Sequence, residues 1–332
     1  MALPIGPTVG ILADNLRLRG SVFPVPASRA TKWAGGLGLP RGGETVLYTG
    51  SMYQLAPYIA AMGKTQERVG DSWLARYVGL GRAANRVVSI AGFMARPRMR
   101  ELVEYDRVLR NIARLLQLAG VEFGYLYDEE LYSGTLVYDL GVDDVLAAHA
   151  RKVFDVLKRH GVRNLITVDP HTTDMLRSVY PKVVPGYDLE ARSYLEVLAR
   201  AGLEPRHRLN QEAAIHDSCV YARYLNLTTE PRQLLAGAGV TVREPEAAGR
   251  FTWCCGGPVE SLYPQKALEG AKTRVKQLQA VAGQAVTMCP ICLVNLRRAA
   301  PVGVRINDIS DYLAEAHGLQ PLGARGNEVI EH

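Results

Sequence analysis

The chain has 332 residues, of which 48% are hydrophobic, and a formal charge of +6. That is enough apolar material for a buried core and, by length, for about two domains. No run of Lys or Arg is longer than a pair, so the basic excess reads as a solvated surface or a docking face for an acidic partner, and no nucleic-acid partner is expected. No basic segment leads into an apolar core near the start, and the longest apolar runs fall far short of the about 20 residues that span a bilayer. A cytoplasmic protein is expected, with any membrane association peripheral and made through partners.

Residues 1–44 are rich in Pro and Gly and read as an irregular arm. Their GLGLPRGG stretch precedes a strand instead of joining a strand to a helix, so it fails the dinucleotide-binding fingerprint. From residue 45 short apolar strands alternate with helical patterns. TVLYT (45–49) leads into MYQLAPYIAAM. RELVEYDRVLRNIARLLQLAG (100–120) carries apolar residues at 3–4 spacing and closes on Gly120, as a helix should. VEFGYLY (121–127) reads as a strand, DDVLAAHARKVFDVLKRHG (143–161) as a helix and NLITV (164–168) as a buried strand.

The second half repeats the plan. EAAIHDS (212–218) reads as a strand, PRQLLAGAG (231–239) as a helix and VTVRE (240–244) as a strand. PQKALEGAKTRVKQLQAVAG (264–283) reads as a long helix and QAVTM (284–288) as a strand; ICLVNLRRAA, a short VRI strand and NDISDYLAEAHG follow. Such alternation predicts an α/β fold with mostly parallel sheets. YSGTLVYDLG (132–141) and VDPHTTDML (168–176) align with CCGGPVESLY (254–263) and MCPICLVNL (288–296) at nearly constant offsets, 122 between positions 132 and 254 and 120 between 169 and 289. The chain is therefore expected to hold two tandem similar units, 45–205 with an insertion at 63–99, and 206–332.

All five cysteines, at 219, 254, 255, 289 and 292, lie in the second unit. An odd number, clustered in a chain without a secretory leader, argues against a disulfide framework. Each group follows a predicted strand, where crevices at the carboxyl ends of parallel strands collect ligands. Cys289 stands at a helix N-cap ahead of Pro290, a place that favours thiolate, and thiolates are what soft metals bind. Gly256 and Gly257 are expected to clear room for a bulky inorganic group. Four sulfurs satisfy either a tetrahedral zinc or a cubane cluster, and the fifth is surplus to both. His216 and Trp253 flank the cysteines, His216 as a partner to a bound group or a packed strand-end residue, Trp253 as a shield or core. His171 reads as a helix-start surface residue, and Tyr125, Tyr127, Tyr132 and Tyr138 as core.

HDSCVYARYLNLTTEPRQLL, WCCGGP and MCPICLVNL together resemble the cysteine-rich CCG domain of heterodisulfide reductase subunits and related electron-transfer proteins. The resemblance implies that Cys219, Cys254, Cys255, Cys289 and Cys292 hold a non-cubane 4Fe-4S cluster, with zinc as the alternative. It implies an oxidoreductase subunit that exchanges electrons with a disulfide, persulfide or quinone. Its partners would be a ferredoxin-like iron–sulfur subunit and a flavoprotein subunit. The other reading is a non-catalytic assembly subunit with a structural metal. Where the family's first unit carries cysteines this chain has Ser51, Tyr132, Ser133, Asp169 and Thr172, so no cluster is expected there. Asp169 is read as an N-cap ahead of Pro170.

Overall fold

The computed structural model describes residues 5–69, 97–260 and 262–319. It is an α/β protein built on two separate parallel sheets. The first contains β1 (Thr45–Tyr48), β2 (Asn164–Thr167) and β3 (Glu190–Ser193) in the order β1-β2-β3. The second contains β4 (Gln211–Ile215), β5 (Val240–Arg243), β6 (Gln284–Thr287) and β7 (Arg305–Asp308) in the order β5-β4-β6-β7. Strands β1 and β2 have their last three residues buried, and so does β6, which is why they read as apolar runs without alternation.

The two sheets share an edge position that the strand count hides. The 121–127 stretch, expected as a strand, forms only two isolated bridges, Val46 with Gly124 and Arg41 with Tyr125. It nevertheless lies beside β1 where β5 lies beside β4. The Gly124 amide donates to the Thr45 carbonyl at 2.9 Å and the Leu47 amide to the Gly124 carbonyl at 2.8 Å. Gly124 is where the chain is approached from both sides. Residues 40–42 press on its other side so closely that a Cβ there would sit 1.8 Å from the Gly42 carbonyl oxygen.

Two further expectations change. Residues 5–19 are not irregular but form the helix Ile5–Arg19. Leu12, Ala13 and Leu16 are buried in it, and that apolar face outweighs the Gly and Pro of its first turn. Strand β3 has no clear apolar signal, because EARS buries only Ala191 and Ser193; the helix Tyr194–Ala201 that follows buries Tyr194, Leu195 and Leu198. The expected insertion at 63–99 falls mostly outside the described residues, 70–96 among them; residues 63–69 continue the helix Met52–Val69.

The sheets pack through helices and a seam of buried polar contacts. Tyr53 donates to Asp308 at 2.7 Å, and the Tyr221 hydroxyl lies 2.7 Å from that of Ser193 and 3.3 Å from that of Thr173. Arg107 on the helix Met99–Leu118 makes a two-pronged pair with Asp311, each bond 3.1 Å. This seam places the strand ends of the first sheet against those of the second.

Candidate metal centre

Three loops converge at the carboxyl ends of β4 and β6. Cys219 opens the short helix Cys219–Arg223 just after β4. Cys254 and Cys255 follow the turn Gly249–Phe251, which Asp217 pins from the end of β4. One Asp217 carboxylate oxygen accepts the Gly249 amide at 2.7 Å and its carbonyl accepts the Thr252 hydroxyl at 3.1 Å, while Arg232 holds the carboxylate from outside. Cys289 caps the helix Pro290–Ala299, its sulfur accepting the Cys292 amide at 3.5 Å.

All five thiols are free. The Cys219 and Cys254 sulfurs lie 3.9 Å apart and those of Cys255 and Cys292 3.4 Å apart. Cys255, Cys289 and Cys292 are buried, whereas Cys219 and Cys254 reach the surface in part. Beside that open edge Phe251 is 86% exposed and Trp253 49%, so Trp253 is not core.

The sulfurs compete for protons. Cys254 is pushed toward thiolate, first by the Cys219 thiol donating to it, then by Cys255, with the Gly256 amide adding a bond at 3.3 Å. Cys219 is correspondingly kept protonated, chiefly by that same bond to Cys254. Burial opposes ionisation of Cys289, but contacts from Cys292 and His171 overcome it. Cys255 is held as a thiol first by its contact with Cys254, and Cys292 first by its contact with Cys255. A set of thiols that cannot all ionise alone is one that a cation would relieve.

Arg274 supplies the strongest sign of what the site accommodates. It is completely buried. Among the described residues it donates only to neutral acceptors: His216 Nδ1 at 3.0 Å, Ala247 O at 2.7 Å, Gln277 Oε1 at 3.0 Å, Ile215 O at 3.4 Å and Thr252 Oγ1 at 3.3 Å. Asp217, whose charge also acts on it, is already bonded to Arg232. A guanidinium does not give up its proton, and a buried charge without a partner is costly. Asp217 is the first countercharge to act on Arg274, and the Cys292 and Cys255 sulfurs act next in the same sense, so metal binding, which removes the thiol protons, would set the missing negative charge beside it. The donor set, its shielding from water and this cation all fit a thiolate-bound metal group.

His216 is buried with its Nε2 unpartnered, and its ligand atom lies with the Cys255 and Cys292 sulfurs in a group no more than 4.8 Å across. Burial, followed by the Arg274 charge, lowers its pKa to about 3, so the ring is neutral. His171 is not the surface residue that its place at a helix start suggested. Its ring reaches across from the first sheet to Cys289, and that contact, overcoming burial, raises its pKa to about 9. Gly256 and Gly257 also do something other than expected. A Cβ on Gly256 would meet the Ala267 backbone at 2.7 Å, and one on Gly257 would meet the Ile291 side chain at 2.5 Å. They let the loop pack on two helices.

At the matching pole of the first sheet the groups are oxygens. Asp169 Oδ1 accepts the His171 and Thr172 amides, both at 3.0 Å, which makes it the expected N-cap. Its Oδ2 and the Thr172 hydroxyl are buried without a partner. Ser51 adopts a φ of +58°, and its amide donates to Glu130 at 3.3 Å. Ser133 Oγ lies 3.0 Å from Thr135 Oγ1. Tyr125 and Tyr132 are core, as expected, while Tyr138 is exposed.

Sequence reasoning missed Arg274 altogether. The signal was present: Ala267, Ala271, Arg274, Val275 and Leu278 form the buried stripe of the helix Pro264–Gln279. An arginine on an apolar stripe needs a reason.

The α/β fold and its five-sulfur pole define a cysteine-rich, metal-binding class of domain. Residues 213–297 match the model of the CCG cysteine-rich domain. Beyond it, the chain is 30% identical over 231 residues to a protein of Syntrophomonas wolfei named EtfAB:quinone oxidoreductase, covering 64% of this chain and 32% of that one. It is 28% identical over 224 residues to a probable iron–sulfur-binding oxidoreductase of Bacillus subtilis, again covering 64% and 32%. A third relative, 27% identical over 227 residues and covering 64% and 34%, is a probable membrane-anchored ferredoxin of Chromohalobacter salexigens. The matched region is about a third of the length of each of these relatives. Among the described residues no helix is long and apolar enough to cross a membrane.

Proposed function

We propose that this chain is an electron-transfer subunit of an iron–sulfur oxidoreductase, with Cys219, Cys254, Cys255, Cys289 and Cys292 holding one 4Fe-4S cluster of the non-cubane kind. The observation that carries the reading is the convergence of five free thiols on one pole beside a buried arginine that has no carboxylate partner of its own. A bound cluster supplies one-electron storage at a potential set by its surroundings. The chain's own residues do the rest. Cys255, Cys289 and Cys292 keep the inner side dry, the half-exposed Cys219 and Cys254 give electrons a short way in or out, and Arg274 balances negative charge.

The matching places of the two sheets support reading residues 45–205 as a second unit of the same plan without cysteines. Gly134 and Gly256 share one backbone conformation, φ +83° and +82°, just after Ser133 and Cys255. Asp169-Pro170 and Cys289-Pro290 open equivalent helices. The names of the relatives support the iron–sulfur reading, and the quinone in one of them favours a quinone over a disulfide or persulfide as acceptor. Partners of ferredoxin-like and flavoprotein type fit a chain in which no nucleotide-binding motif was found. A cytoplasmic position, held to a membrane through those partners, fits the named relatives.

One observation favours a second reading. His216, Cys255 and Cys292 could hold a structural zinc, for which three ligand atoms within 4.8 Å of one another are a start. Anaerobic purification followed by iron, acid-labile sulfide and zinc analysis decides. About four irons and four sulfides per chain are expected; a colourless protein with stoichiometric zinc would overturn the cluster reading.

A further inference from the structure

His216 is the one nitrogen that reaches the sulfur pole from β4, and its role can be read from its other face. Arg274 Nε donates to its Nδ1 at 3.0 Å. Guanidinium offers hydrogens only and accepts none, so Nδ1 must present its lone pair. A neutral imidazole has one hydrogen, which must then sit on Nε2. That nitrogen is buried and has no partner among the described residues, and the ring offers a nitrogen within 4.8 Å of the Cys255 and Cys292 sulfurs; with Nδ1 taken by Arg274, Nε2 is the one left to serve them. A nitrogen carrying hydrogen has no lone pair for a metal.

We propose that His216 is a fixed N–H donor to the sulfur pair Cys255 and Cys292 and not a metal ligand, and that Arg274 is the positioning residue that imposes this tautomer. The arrangement is rigid at every joint. The His216 amide donates to the Val286 carbonyl at 2.8 Å, tying its backbone to the neighbouring strand. Four further acceptors besides the imidazole fix the guanidinium. The ring therefore cannot turn its Nδ1 to the site without leaving the Arg274 donor unpaired in the interior, which is costly. An N–H pointed at a ligand sulfur stabilises the more negative charge state, so it favours the reduced form of a bound cluster. The donor assignment also bears on the zinc reading, because it removes the one non-sulfur ligand of the three-atom group.

The redox part of the inference rests on the cluster reading; the tautomer part does not. Nitrogen NMR of the full chain labelled with 15N-histidine, purified and then stripped of metal, is expected to show the His216 ring protonated at Nε2 and bare at Nδ1. A ring protonated at Nδ1, or at both nitrogens, would overturn the proposal. In the metal-loaded protein, proton ENDOR in H2O and D2O should find an exchangeable hydrogen coupled to the cluster. A nitrogen coupling of directly bound size would contradict it. His216→Gln can accept from Arg274 through Oε1 and still donate through its amide, so it should keep both the exchangeable coupling and the potential. His216→Leu should lose the coupling and make reduction about tenfold less favourable, or about 59 mV lower for one electron. An unchanged potential in His216→Leu with iron and sulfide intact would sink the proposal. Loss of iron from wild type would sink only the cluster reading, and the NMR result would still stand as the test of this one.

Discussion

The two sheets set nearly the same backbone around opposite chemistry. At the second pole Cys255 and Gly256 precede a short helix and Cys289 caps a longer one; at the first, Ser133 and Gly134, then Asp169, stand in those places. The second pole gathers soft sulfurs that repel one another's ionisation and sit near a buried cation. The first gathers hydroxyls and carboxyls, hard groups that bond one another and the helix amides in part and leave Asp169 Oδ2 and the Thr172 hydroxyl unpartnered. The scaffold at strand ends therefore does not select a metal. The donor atoms placed on it do, and the two poles touch where His171 meets Cys289 and where Tyr221 meets Thr173 and Ser193.

The sharpest way to break this comparison is substitution at matching places. Cys289→Ser or Cys255→Ser is expected to abolish or transform the metal signal in the visible spectrum, with most of the iron lost. Ser133→Ala and Thr172→Ala should leave iron per chain unchanged. Equal losses from both poles would mean that both take part in binding.

A smaller effect comes from the paired glycines. Both have φ near +80°, so alanine is strained at either. At Gly256 the added Cβ meets the Ala267 backbone at 2.7 Å, whereas at Gly134 it meets the tip of the Leu146 side chain at 2.8 Å. Chemical denaturation should therefore show Gly256→Ala losing about 3 kcal/mol or more and Gly134→Ala about 1–2 kcal/mol. The order is the point, and a reversed order would refute this account of the CCG loop.

A further effect, seen only as a pH dependence, belongs to the oxygen pole alone. Burial raises the Glu130 pKa from 4.5 to about 7, with hydrogen bonds from Thr49 and the 49–51 backbone opposing it only in part. The folded pKa lies above the unfolded one. The stability of the neutral carboxyl is thus fully present below pH 4.5 and is lost as pH rises through about 7. Glu130→Gln should flatten the fall in melting temperature between pH 5 and 8, removing a slope on the order of 2 kcal/mol. A wild-type slope that persists in the variant would assign it to other groups.

Much of this was legible in the order of residues, and the failures have local causes. The strands β1, β2 and β6 announce themselves because parallel strands buried on both faces are plain apolar runs, while the edge strand β5 reads from its β-branched VTV although only Val240 is buried. The five cysteines were found from spacing and composition, since nothing else explains thiols at three strand ends. β3 was missed because EARS buries only every other residue. The helix Ile5–Arg19 was missed because Gly6 and Pro7 mask an apolar face that becomes evident only once a core exists to receive it. His171 and Arg274 were misjudged or missed for one shared reason. A charged or polar residue on a helix is usually solvated; the packing of one sheet against the other brings His171 to Cys289, and the packing of the helix Pro264–Gln279 on its own sheet brings Arg274 to His216.

The central claim, that one pole binds a cluster and its counterpart does not, is tested most directly by native mass spectrometry of the anaerobically purified full chain. The account predicts the mass of the chain plus a single four-iron, four-sulfide unit, and its disappearance in Cys289→Ser. A chain carrying two such units, or one carrying zinc alone, would contradict it.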